Sequence, residues 1–323
     1  MPRCRRRCFA VRLPAVLATL LPVLLASCAA FPGDPAAGGS VPRVYDTATG
    51  ARLGEEELWR RLTAADFLLL GETHDNPEHH RLQARIIRRL AAEPPGTGAV
   101  AFEMLPVDRQ PVVDRHLTRA DADLRAFAAA VAWERSGWPD FALYEPVFAA
   151  ALAAGARVLA ADLATGVTRR IRREGFAALD PGFRRRTGLD RPLPAALERG
   201  LRETLARAHC GRLPESMLPG MLRVQRARDA MLADRMAAFR GRGRVVLITG
   251  NGHARKDWGV PFYLRQLAPG RAILSLGLIE VRPGEALVAE GRPFDLVWFT
   301  GGPPRGGRDP CEAIREPPRG AAR

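Results

Sequence analysis

Six acidic and imidazole side chains fall just past short apolar runs. They are Glu72, His74 and Asp75 in Gly71-Glu72-Thr73-His74-Asp75, then Glu103, Asp162, and His253 in Gly250-Asn251-Gly252-His253. Delivered to one place, imidazoles and carboxylates can hold a divalent metal, act as an acid/base set, or hydrogen-bond an anionic ligand. Taken singly, each has a plainer role: Glu72 and Glu103 as helix caps, His253 as the partner of a buried carbonyl. The set acquires chemical meaning only if the elements carrying it converge. Gly250 and Gly252 would allow positive φ and a close backbone approach, as a helix start or a ligand clamp needs.

The elements that must do the positioning are legible as apolar runs ending in polar or glycine turns: Phe67-Leu70, Ala99-Phe102, Arg157-Ala161 and Val245-Thr249. Helical patterns separate them, so they read as buried strands of a parallel sheet, with Ala272-Val281 and Leu296-Thr300 as further strands. Asn76-Pro77 supplies an N-cap and an N1 proline for an amphipathic helix over 78–92, with Leu82, Ile86, Ile87 and Leu90 on its apolar face. Two further helices are expected over about 121–132 and 145–154, the latter closing at Gly155. Residues of about 165–240 form an arginine-rich, mostly helical insertion or cap. The fold class is therefore α/β: a mainly parallel sheet flanked by helices, with ligands expected beyond the carboxyl ends of its strands.

Length and composition bound the rest. With 323 residues and 47% hydrophobic content the chain can bury a full core. The formal charge is +14, of which residues 1–27 supply five arginines and no acid, leaving +9 without them. Of the 49 basic residues 48 are arginine, Lys256 being the exception, and no nucleic-acid module with interleaved aromatics is present. Membrane surfaces and anionic ligands fit the charge; nucleic acid is not expected as a partner.

Residues 1–27 read as a secretory signal: an arginine-rich start, an apolar run over 13–26 interrupted by Pro14 and Pro22, and a lipobox Leu25-Ala26-Ser27-Cys28. Small residues before Cys28 admit a peptidase, and the Cys28 thiol can then take a diacylglycerol. Acyl chains contribute about 0.8 kcal/mol per buried methylene, so acylated Cys28 would hold the protein on a membrane. Ala29 after Cys28, with no aspartate there, suits an outer-membrane destination facing the periplasm. Residues 28–44 serve as a flexible tether, 45–301 as the folded body, and 302–323 as an irregular tail. Cys4 and Cys8 leave with the signal and Cys28 is modified, which leaves Cys210 and Cys311 as a candidate disulfide or two separate thiols.

Together these runs resemble a known family. Gly71-Glu72-Thr73-His74-Asp75-Asn76, Ala101-Phe102-Glu103-Met104, Gly137-Trp138 with Tyr144-Glu145-Pro146, and Gly250-Asn251-Gly252-His253-Ala254-Arg255-Lys256-Asp257-Trp258-Gly259-Val260-Pro261 are similar, in order, to ChaN-type haem-binding lipoproteins. That family belongs with the Tiki proteases, TraB proteins and erythromycin esterases. Gln225 with Arg228-Asp229 and Met231 fits its helical region more loosely.

The resemblance implies an exported lipoprotein of iron or haem uptake that binds haem through a tyrosine, acts as a homodimer, and exchanges haem with a receptor or transporter. Tyr144 is the position that matches the ligand, and a hard phenolate suits ferric iron; a tyrosine packed at a helix start is the plainer reading. Glu72, His74, Glu103, Trp138, His253 and Arg255 would surround the cofactor. Trp133, Trp138 and Phe141 could stack on the macrocycle, Met104, Met217 and Met221 could touch it, and Arg109 and Arg135 could pair with its propionates.

The wider grouping implies an alternative. Gly71-x-x-His74, Glu103 and Gly250-x-x-His253 are similar to the Tiki-like metal site, in which His74, Glu103 and His253 would hold a divalent metal ion. Glu72 or Glu103 would then be the base of a hydrolase.

Overall fold

Leucine, valine and isoleucine runs that are apolar on both sides need cover on both sides, and the chain provides it. In the computed structural model, which describes residues 43–118, 121–239 and 241–303, seven strands form one sheet: β1 (Val44–Asp46), β2 (Phe67–Glu72), β3 (Thr97–Pro106), β4 (Arg157–Asp162), β5 (Arg244–Gly250), β6 (Ile273–Val281) and β7 (Leu296–Gly301). Their order is β1-β7-β6-β2-β5-β3-β4; β1 runs antiparallel to β7 and every other pairing is parallel. The expected signal, Cys28, most of the tether, Cys311 and the tail beyond Pro303 lie outside the described residues.

Alternation along the central strands divides the core into two layers. Leu68 and Leu70 of β2, Val100 and Phe102 of β3, and Val246 and Ile248 of β5 face one layer. That layer is closed by α1 (Glu55–Ala64), α2 (Pro77–Ala92), α3 (Gln110–His116), α4 (Leu124–Ala130) and α5 (Phe141–Ala153). Phe67 and Leu69, Ala99 and Ala101, and Val245 and Leu247 face the other. There the cover comes from α6 (Val167–Glu174), α7 (Pro181–Thr187), α9 (Leu218–Ala238) and α11 (Val260–Leu267). The helix α8 (Ala195–Ala208) packs on a smaller cluster, with Leu201, Leu218, Leu222 and Trp258 at its centre. Four residues, α10 (Asn251–Ala254), turn directly off β5. Among the described residues no helix is long and apolar enough to cross a membrane.

The expected strands and the α/β class stand as read. Three details differ. The sheet gains the edge strand β1, whose first residue was assigned to the tether, and α1 was not anticipated. The helix expected over 121–132 is shorter, because Asp123 caps it through the Arg125 and Ala126 amides. The helix expected from 145 starts at Phe141 with Asp140 as its cap, which brings Tyr144 into its first turn.

The placement of β2 and β5 matters most for function. The chain leaves β2, builds β3 and β4 to one side, then returns with β5 between β2 and β3 before adding β6 and β7 on the other side. The crevice of such a sheet opens where the winding reverses, here beside the tips of β2, β5 and β3. Asn76 anchors the loop that follows β2. Its side-chain oxygen accepts from the Glu78 and His79 amides, and its Nδ2 donates to Glu280 at 2.7 Å and to the Gly301 carbonyl at 3.0 Å. Replacing Asn76 with alanine removes a cap and two long-range bonds from a buried position, so urea denaturation should show a loss of about 2–3 kcal/mol. Asn76→Asp keeps the cap acceptor but sets a second carboxylate against Glu280, so it should not recover the loss at neutral pH; a loss under about 0.5 kcal/mol in the alanine variant would mean the loop is held by something else.

Candidate functional site

Two carboxylates at strand tips on either side of β5 are fully buried, Glu72 at the end of β2 and Glu103 on β3. A buried carboxylate is tolerated only when donors surround it. Around Glu72 these are the Tyr144 hydroxyl at 2.8 Å and His74 Nδ1 at 2.9 Å on Oε1, with Gln83 Nε2 at 2.6 Å and His80 Nδ1 at 3.3 Å on Oε2. Around Glu103 they are Thr249 Oγ1 at 2.6 Å and the Gly250 amide at 2.7 Å on Oε2, with Arg228 Nη2 at 2.9 Å and His253 Nε2 at 3.3 Å on Oε1. The register of β3 against β4 breaks between Phe102 and Pro106. Such an irregularity re-aims a side chain, and Glu103 lies within it.

Charge follows from these contacts. Burial opposes ionisation of Glu72, but the hydrogen bonds from His74 and His80 outweigh it and hold the carboxyl down to about 2. Glu103 is likewise held well below the ordinary carboxylate range, against its burial, by the His253 and Arg228 charges. His253 has a carboxylate at each nitrogen, Glu103 at Nε2 and Asp229 at Nδ1 at 2.6 Å. Burial disfavours its charge, yet the two acids push it up to about 10. Arg228 completes the network with a two-pronged bond to Asp162, Nε at 2.9 Å and Nη2 at 2.7 Å.

The structure thus gathers Glu72, His74, Glu103, Asp162 and His253 at one edge, as the spacing anticipated. It does not arrange them for a metal. Among the described residues no group of three or more His, Cys, Asp and Glu side chains is placed to hold one. Glu103 and His253 are already partnered: Thr249, the Gly250 amide, Arg228 and His253 surround Glu103, while Glu103 and Asp229 hold the two His253 nitrogens and raise its pKa to about 10. The metal-dependent hydrolase is therefore not favoured.

Tyr144, the expected iron ligand, lies within the same network. It is fully buried, 5.2 Å from the Trp133 ring and 4.2 Å from the His80 ring, with its hydroxyl committed to Glu72. Burial and the Glu72 charge raise its pKa far above the ordinary phenol value. In this arrangement the Tyr144 hydroxyl donates to Glu72. Arg255 is tied to Asp257 at 2.6 Å and stacks over Trp258 at 3.7 Å. The role of Gly250 is close approach and not positive φ, since its φ is −62° and an added Cβ would lie 2.8 Å from His74 Nε2. At Gly252 a Cβ would meet nothing within 4 Å. Cys210 is disulfide-bonded; its expected partner, Cys311, lies outside the described residues.

Above this network Trp138 meets His74 edge to face, ring centres 4.8 Å apart. His74 keeps about one third of its side chain exposed while Glu72 fixes its Nδ1. Two cavities flank the Trp133–Trp138 turn, of about 430 and 820 Å³, and both are lined by Ala132, Trp133, Arg135 and Trp138. The smaller adds Met104, Leu105, Arg109 and Asp162; the larger adds Arg125, Phe141 and Glu145. Met217 and Met221 line neither. Ala132 holds a left-handed φ of 57°, a conformation non-glycine residues adopt at a cost and often near function.

Sequence reasoning did not find His80 and Gln83, which donate to Glu72 from α2. The signal was there, because His80, Gln83 and Ile87 share the face of α2 that also carries the core residues. Arg228 and Asp229 were noticed only through resemblance; a buried acid beside a buried histidine explains Asp229.

The His253 contacts predict an alkaline limit to stability. A base whose folded pKa lies above its unfolded value stabilises fully below the latter, near 6.5, and loses that contribution as pH rises through the former, about 10. Thermal midpoints should therefore decline between these two values. In His253→Gln the decline over that interval should become shallower, His74 and His80, whose pKa values are also raised, supplying the remainder; an unchanged slope would mean that His253 contributes nothing to it.

Residues 58–264 match the family described as haem-binding uptake, Tiki superfamily, ChaN. No curated protein sequence matches the chain. Among solved structures, ChaN of Campylobacter jejuni, described with cofacial haem binding, is similar at 21% identity and a TM-score of 0.65, over 80% of this chain and 97% of that one. The type III effector HopBA1 is similar at 13% identity and TM-score 0.45, over 76% and 92%. A mutant of the erythromycin esterase EreC is similar at 13% and 0.41, over 80% and 83%. The last two are too distant to bear on chemistry. With the match spanning most of the folded body and the sheet, crevice and polar network in place, the chain belongs to the ChaN haem-binding uptake family of the Tiki superfamily.

Proposed function

We propose that this protein binds haem at the face around Trp138, without catalysing a reaction, and serves haem or iron uptake or storage. The observation that carries the reading is the pair of cavities sharing Trp133, Trp138 and Arg135 beside the strand tips. The residues fit the group: haem needs flat apolar contact and cations for its propionates, and Trp138, Met104 and Leu105 with Arg109 and Arg135 offer both. When bound, haem would supply a ferric iron that a protein side chain could ligate.

No His, Tyr or Cys lines either cavity. The donor we assign is His74, whose ring touches Trp138 and whose Nδ1 is held by the buried Glu72 carboxylate, the carboxylate–histidine arrangement that orients a metal-binding imidazole. Tyr144 then acts as a positioning residue beneath it, and a phenolate ligand would require the Tyr144–Glu72 bond to break. Burial disfavours the His74 charge, but Glu72 and Glu103 raise its pKa, so ligation must displace a proton and should strengthen as pH rises.

The finer biology is part of the same proposal. The lipobox before Cys28 supports export and lipid anchoring, in an outer membrane facing the periplasm. The open cavities suit two copies meeting face to face over their haems, and a receptor or transporter that passes haem on.

The test is a haemin titration into the chain from Ala29 onward, which keeps every described element. A saturable Soret shift is expected, tighter at pH 8 than at pH 6. His74→Ala should alter the spectrum and weaken binding at least tenfold, Trp138→Ala should weaken it several-fold, and Tyr144→Phe should keep binding while lowering stability. No shift, or a spectrum changed only in Tyr144→Phe, would overturn the assignment. Sedimentation with and without haemin reads the dimer, and acyl labelling lost in Cys28→Ser reads the anchor.

A further inference from the structure

The positive charge of this chain is not spread over it. Residues 165–240 carry seventeen arginines against eight acids. The remainder of the chain after residue 27 carries 27 basic and 27 acidic residues and is neutral. All the net charge left after the expected signal therefore belongs to the helical cap, which makes the folded body strongly dipolar.

Within the cap the charge is densest on α6, Val167-Thr168-Arg169-Arg170-Ile171-Arg172-Arg173-Glu174. Ile171 is fully buried against the sheet-side core, and all four arginines are exposed. Arg170 and Arg173 share the single Glu174 at 3.6 and 3.5 Å, with side chains 54% and 67% exposed. Such exposed pairs are weak and leave the field of the helix positive. The start of α9 extends the surface: a Cβ on Gly220 would touch Arg172, and Arg223 Nη2 donates to the Arg172 carbonyl at 3.4 Å. Met217, just before α9, is 45% exposed and adds an apolar point to the basic face.

We infer that this face of the cap, built on α6 and the start of α9, docks on an anionic phospholipid surface. The inference goes beyond haem binding and needs neither haem nor an acyl chain. The chemistry points to lipid over an acidic protein for two reasons. The α6 arginines are exposed on one short helix and none of them lines either cavity, and phosphodiester headgroups rearrange laterally to meet such charges. An exposed methionine amid arginines suits an interface with an apolar layer beneath the charge. The small cavity is lined by Gly166 and Thr168 at the beginning of α6, so docking would set the candidate ligand face beside the membrane surface.

The experiment uses the chain from Ala29, free of any acyl group, with vesicles of phosphatidylglycerol mixed into phosphatidylcholine, read by co-sedimentation. Binding should appear with the anionic lipid, be absent with phosphatidylcholine alone, and fall steeply with salt. Each guanidinium near such a surface is worth about fivefold in affinity. The triple variant Arg169→Glu, Arg170→Glu, Arg173→Glu should therefore lose at least about a hundredfold. The glutamine triple at the same positions, which guards against misfolding, should lose a smaller but clear amount. Reversing Arg81, Arg85 and Arg88 on α2 should change binding little, and haemin titration of every variant should match the parent. Equal binding to both vesicles, undiminished binding of the α6 variants, or binding to polyglutamate without binding to vesicles would each overturn the inference. None of these outcomes depends on the haem assignment, which the titration reads separately.

Discussion

Two carboxylates buried at the tips of a parallel sheet, one on each side of β5, set the terms for everything around them. Glu72 and Glu103 cannot be left unpaired in a low-dielectric interior, where each unsatisfied charge costs several kcal/mol. The elements that approach the crevice are accordingly the ones that bring donors. The helix α2 brings His80 and Gln83, α5 brings Tyr144, α9 brings Arg228, and the turn after β5 brings the Gly250 amide and His253. The network is shared between both faces of the sheet, so it ties the helices of the two core layers to one another at the point where the winding reverses.

Such a network is at once a foundation and a filter on function. It seats Arg228 against Glu103 and sets His253 between Glu103 and Asp229, which raise its pKa. What it leaves partly free is His74, pinned at one nitrogen and open toward Trp138. Trp138 meets that imidazole, and the turn carrying Trp133 and Trp138 supplies aromatic and arginine walls to the two cavities beside it. Binding a flat, amphipathic anion asks for such walls and one oriented donor, which is the reading proposed for this face.

Much of this was legible before any coordinates. Strands such as Phe67–Glu72 and Arg244–Gly250 are apolar on both faces, and that pattern alone implies a covered parallel sheet whose tips carry the polar residues. Asn76-Pro77 likewise announced the start of α2. The three-residue edge strand β1 escaped because so short a run has no period to detect. The fate of Tyr144 escaped for a different reason: whether a phenol faces a ligand or a buried carboxylate depends on where α5 begins, and Asp140 moved that start four residues ahead of expectation. Arg228 and Asp229 lie on a helix far from β3 in sequence, and their partners become visible only once α9 crosses the strand tips.

Glycine at position 250 shows how a correct residue can be read for the wrong reason. Its usefulness lies in having no Cβ where His74 Nε2 passes, and not in a left-handed backbone. Sequence can flag such a position, but only packing distinguishes the two causes.

The central claim is that Tyr144 supports His74 from below while His74 faces the ligand. Electron paramagnetic resonance of the haemin-loaded chain, labelled with nitrogen-15 at histidine, addresses it directly. Hyperfine coupling to one histidine nitrogen, lost in His74→Ala and kept in Tyr144→Phe, is what the account predicts. A phenolate-bound ferric signal with no histidine coupling would contradict it.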